Sequence, residues 1–132
     1  MQQINAEIKP TLSDMRYYTY GDYYIKDDET LKFDIVDHGN KYFNMLTLLH
    51  ELAEYIEIEL RGISVDSIDK YDKEFENDSE RVKLYFEPGA DPTCIYKESH
   101  DLANSFVKKI CDRNGLDYNA WLMVDLDGKL KN

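Results

Sequence analysis

The segment "NKYFNMLTLLHELAEYIEIELRG" (residues 40–62) sets His50, Glu51 and Glu54 among apolar side chains. If it is helical, His50 and Glu54 stand one turn and about 40° apart, on the flank of an apolar stripe. An imidazole and a carboxylate in that relation can share one ion, zinc or another divalent metal. Glu51 points about 100° away from His50 on the same wheel, so it is free of the ligand pair. A carboxylate there is a candidate general base for a metal-bound water, which makes Glu51 the candidate catalytic residue.

A mononuclear zinc site needs a third protein ligand, and the chain has three histidines in all. Of the remaining two, His38 and His100, the second lies in "YKESHDLANSF", near the start of a later helix and on the flank of its stripe. Antiparallel packing of the two helices would join His50, Glu54 and His100 into a set of two imidazoles and one carboxylate. Asp69, Asp72 and Tyr96 are the candidates for supporting that set from outside it, the two aspartates by orienting a histidine. The same residues also fit a plainer arrangement, in which His50 and Glu54 only brace two helices.

These residues need elements to hold them. "MRYYTYGDYYIKDDETLKFDIVDHG" predicts a β-hairpin over 15–37, with Leu31, Phe33 and Ile35 alternating against Lys32 and Asp34 about the turn Asp27–Thr30. The period then becomes helical, and Tyr42, Met45, Leu46, Leu49, Leu52, Ala53, Ile56 and Leu60 predict a central helix over 41–61, stopped by Gly62. Ser64 is a cap for a helix over 65–76, with Asp66 in its first turn. Residues 77–95, with "EPGADPTC", read as a long loop carrying a short strand at 82–86. Helices over 96–113 and 117–125 complete a single domain spanning 1–132. The expected fold is α+β, a small N-terminal antiparallel sheet packed on three or four helices.

Asp and Glu number 27 against 16 Lys and Arg, a formal net charge of −11. Such a chain repels phosphate backbones and anionic membranes at long range, which argues against direct nucleic-acid binding. It suits a cation or a basic protein partner. No apolar run approaches the ~18 residues of a membrane span. Two cysteines, Cys94 and Cys111, and an N-terminus unlike a secretory leader lead us to expect reduced thiols and a cytoplasmic protein.

Three resemblances bear on function. The strand "LKFDIVD" followed by a helix containing "LLHELAE" resembles the core of zincin metallohydrolases, whose H-E-x-x-H motif differs at Glu54. It implies a zincin-like core and metal-assisted hydrolysis. Over about residues 17–121 the chain resembles a group of short bacterial and phage proteins sharing "LLHELAEYIE", "RGISVDSIDKYDKEFE", "EPGADP" and "YKESHDLAN". That likeness brings no activity, but it marks Asp69, Asp72, Pro88, Tyr96 and His100 as part of a pattern. It also implies a phage or mobile-element origin, and with it an acidic protein that inhibits a basic host protein as a nucleic-acid mimic. Finally, Glu51-x-x-Glu54 followed by Asp69-x-x-Asp72 is similar to the magnesium-binding pattern of all-α nucleotide pyrophosphohydrolases.

Overall fold

A computed structural model gives the backbone of residues 3–130 and the side chains of residues 3–124. Among these residues there are three strands and five α-helices. The strands are β1 (Gln3–Lys9), β2 (Gly21–Ile25) and β3 (Thr30–Val36); the helices are α1 (Lys41–Leu60), α2 (Val65–Glu76), α3 (Ser79–Tyr85), α4 (Lys97–Asn114) and α5 (Tyr118–Leu130). The class is α+β, but the sheet is mixed rather than antiparallel. Its order is β1-β3-β2, with β2 antiparallel and β1 parallel to β3. The parallel strand escapes the hairpin expectation because its partner lies far along the chain, with no tight turn to announce it. The hairpin is also shorter than 15–37, since regular pairing of its first arm begins only at Gly21.

The expected loop over 77–95 contains α3 and a 3₁₀ turn at Pro88–Ala90, and no strand forms at 82–86. Asp78 decides this locally. Its side chain accepts from the Arg81 N–H, while Glu80 and Lys83 lie in the first and last turns, where their charges favour a helix. "VKLYF" has β-forming residues, but none of the three strands among the described residues pairs with it. The last helix likewise runs past 125, to Leu130.

α1 is the central element. Asn40 caps it, its side chain accepting from the Tyr42 and Phe43 N–H groups. One side packs on the sheet, where Tyr55 meets Tyr23 and Phe33 edge-on. The other side packs on α4, and Leu46 joins Val107, Cys111 and Trp121 in a second apolar cluster. His100, near the start of α4, instead meets Glu54, further along α1. That order of contacts is the order of two antiparallel helices. No helix among the described residues is long and apolar enough to cross a membrane.

Candidate metal centre

The start of β2, the middle of α1, one face of α2 and the start of α4 meet the 3₁₀ turn around a cavity of about 80 Å³, large enough for an ion and a few waters. His50, Glu51 and Glu54 reach it from α1, Asp69 and Asp72 from α2, Tyr96 and His100 from the start of α4. Every site residue singled out in the sequence lines this one space.

Within it, His50, Glu54 and His100 are buried, and each offers a ligand atom within 4.8 Å of the others. Glu54 Oε2 is the shared point, 3.3 Å from His50 Nε2 and 3.1 Å from His100 Nδ1. Donors about 2.0–2.2 Å from a tetrahedral zinc lie about 3.3–3.6 Å from one another, and the two contacts of Glu54 Oε2 are close to that spacing. The other carboxylate oxygen, Oε1, accepts from the Tyr23 hydroxyl at 2.8 Å, which fixes the group's rotation and aims Oε2 at the histidines. The two imidazoles meet edge-to-face with centroids 4.9 Å apart.

Two features of the 3₁₀ turn hold His100 in place. Glu87 Oε1 lies 3.2 Å from His100 Nε2, so one ring nitrogen faces Glu54 and the other Glu87. Gly89 lies against the ring itself, and a Cβ there would stand 2.5 Å from Nε2. Phe86, just before Glu87, ends α3 at φ +68°, a left-handed conformation that costs a bulky residue about 1–3 kcal/mol. Strain at this point is consistent with a turn shaped to present Glu87 and Gly89. A similar close approach places Glu51. A Cβ at Gly21 would stand 2.6 Å from Glu51 Oε1 and 2.8 Å from Thr47, so β2 presses its backbone onto α1 there.

Electrostatics divides the cluster. Burial works against the Glu54 charge, but hydrogen bonds from His100 and His50 outweigh it and hold the carboxyl well below the usual range. Burial likewise opposes the His100 charge. The bonds to Glu54 and Glu87 prevail and hold its pKa well above 6.5. Without a metal, the two carboxylates thus favour the protonated form of His100. His50 is the incompletely satisfied member: its Nδ1 is buried without a hydrogen-bond partner. A buried polar atom in that state costs about 1–3 kcal/mol unless a water meets it, and it is the other ring nitrogen, Nε2, that faces Glu54.

The remaining candidates have other partners. Asp69 pairs with Arg16 at 3.3 Å, in a network where Arg16 also grips Asp22 at 2.8 Å. Asp72 accepts from the Tyr96 hydroxyl at 2.6 Å, and the Tyr96 ring lies 6.4 Å from that of His100. The carboxylate on the far nitrogen of His100 is therefore Glu87, which sequence reasoning passed over together with Tyr23. The only sequence signal for Glu87 was its place in "EPGADP". His38 stands apart from the cluster. Its Nδ1 lies 2.7 Å from the Val36 carbonyl and its Nε2 3.0 Å from Thr47 Oγ1, which also accepts from Trp121. Burial lowers the His38 pKa, which favours a neutral ring bridging β3 to α1.

Comparisons of the chain with family models, with curated proteins and with solved structures return no match, so the geometry above carries the functional conclusion.

Proposed function

We propose that this chain holds one zinc ion, or another divalent metal, on His50, Glu54 and His100, and uses it for metal-assisted hydrolysis. The observation that carries this is that three buried donors lie within 4.8 Å of one another, with Glu54 Oε2 at 3.1 and 3.3 Å from its two histidine partners. Charge supports it as well. Protonated His100 with Glu54 and Glu87 carries net −1, whereas a divalent cation replacing the His100 proton makes the buried group neutral. Glu87 would then accept from the far nitrogen of the ligating imidazole, the arrangement that commonly fixes a metal-bound histidine. The ion would supply a Lewis acid and a water of lowered pKa. The chain's own parts are Glu51, which lines the same cavity and is the candidate base, and Tyr23, which holds the Glu54 carboxylate in its ligating pose. A zincin-like core, with β3 running directly into the ligand-bearing α1, belongs to the same proposal.

One observation favours a second reading. Glu51, Glu54, Asp69 and Asp72 all line the cavity, as a magnesium site for pyrophosphate hydrolysis would require. The bonds of Asp69 to Arg16 and of Asp72 to Tyr96 weigh against it, because a metal would have to break or bridge them.

Thermal unfolding of the chelator-stripped chain separates the two. Zinc at 100 times its Kd stabilises by about 2.7 kcal/mol, and His50→Ala and His100→Ala abolish the effect while Glu51→Gln keeps it. A rise with magnesium alone, lost in Asp72→Asn but retained in His100→Ala, assigns the cavity to the second reading. No rise with either cation leaves the cluster as a brace.

A further inference from the structure

β1, α1 and α4 each carry exposed apolar side chains that do not line the cavity. β1 is an edge strand, and Gln3 to Ile8 are all exposed. Its register sets Ile4 and Ile8 beside Leu31 and Ile35, so they point to the helix-bearing side of the sheet. Yet they remain 62% and 50% exposed, while Leu31 and Ile35 are buried.

α1 continues the surface. Met45, Leu52, Ile56 and Leu60 follow one another at helical spacing, on the face turned away from Glu54, and all are exposed. On α4, Phe106 and Ile110 lie one turn apart on the flank opposite His100, again exposed. Together these side chains offer on the order of 800 Å² of apolar surface, about the share each partner gives to a standard interface.

We propose that two copies of this chain meet through this face, about a two-fold axis, leaving both cavities open. The area matches a stable pair, and the charge at the rim suits self-association. Glu59 lies one turn after Ile56; Lys109 and Arg113 lie about one turn after Phe106 and Ile110. A patch bordered by both signs can complement itself, since a two-fold contact is made twice. A foreign basic partner would favour a border of carboxylates alone, and a chain of net charge −11 has those to offer elsewhere.

Sedimentation velocity of the full chain across about 5–100 μM tests this, in a range where a standard-sized interface is populated. The expected species has twice the 15.6 kDa chain mass. Ile56→Glu with Phe106→Glu weakens it at least tenfold at unchanged far-ultraviolet circular dichroism, and Ile4→Lys weakens it on its own. Ile56→Ser with Phe106→Ser serves the same purpose should the glutamates disturb the fold. A monomer throughout the range overturns the proposal, as does a dimer indifferent to these substitutions. A monomer that floats with neutral lipid vesicles also overturns it, and gives the face to a membrane surface.

Discussion

Two buried carboxylates, Asp91 at the end of the turn 87–91 and Glu54 on α1, are held in opposite ways. Asp91 is 2% exposed and saturated: Arg81 donates twice to Oδ2, at 3.0 and 2.7 Å, and Tyr71 at 2.8 Å, while Thr93 donates twice to Oδ1 at 2.9 Å. Its counter-charge is a guanidinium, which does not give up its proton. Glu54 is 4% exposed, but the counter-charge beside it is the His100 imidazole, which can release its proton, and His50 Nε2 lies 3.3 Å from the same carboxylate oxygen. The first cluster is closed and ties the loop to α2 and α3. The second faces a cavity, and its proton on His100 occupies a place a metal could take. Burial and acidity alone would not tell them apart; the nature of the counter-charge does.

Breaking each cluster should expose that difference. Asp91→Ala leaves Arg81 and Tyr71 without their acceptor and should cost about 2–4 kcal/mol, the loss for a buried pair discounted because Arg81 keeps one edge in water. Urea unfolding measures it, and zinc should not restore the loss. Glu54→Gln should cost less in metal-free protein, about 1–3 kcal/mol, because His100 can shed its proton rather than stay charged and unpaired. The same change should abolish the zinc-dependent rise in Tm. An equal loss in both variants with no metal effect would erase the distinction.

Smaller changes within the turn and just after it sharpen it. Gly89→Ala drives a Cβ into the His100 ring, with an expected cost of about 1–3 kcal/mol and a 10–100-fold loss of zinc affinity by titration calorimetry. Thr93→Val removes one bond to Asp91, at about 1 kcal/mol, and should leave zinc affinity unchanged.

The pH dependence should also have opposite signs. Hydrogen bonds hold Asp91 below its ordinary 3.8 against the cost of burial, so its stabilisation is present above that value and is lost as pH falls toward the folded pKa. His100 is raised above 6.5, so its contribution is complete below 6.5 and disappears as pH rises through the folded value. Urea midpoints with chelator should therefore fall from pH 6 toward alkaline pH. With zinc bound the trend should reverse, because a ligating imidazole must give up its proton.

What the sequence revealed divides along the same physical line, local against long-range. α1, α2 and α4 were legible because apolar period and capping are written within a few residues, as at Ser64, whose side chain accepts from the Ser67 N–H. The meeting of His100 with Glu54 followed from two helix flanks and one assumption about packing. β1 was not legible, since a parallel strand pairs with distant chain, and α3 was masked by the β-forming residues of "VKLYF". Glu87 and Tyr23 were missed for the same reason: their roles depend on where a turn and a strand arrive, and nothing adjacent in sequence encodes that. The Arg16–Asp69 pair spans 53 positions and redirected a residue that spacing had assigned to the histidines.

The most direct test is the metal content of folded protein purified without chelator, read by plasma mass spectrometry beside His100→Ala. The proposed centre predicts about one equivalent of zinc or another divalent metal per chain, and loss of most of it in the variant. Less than about one tenth of an equivalent in the folded wild-type chain, unchanged after incubation with zinc and desalting, would contradict a structural or catalytic metal centre.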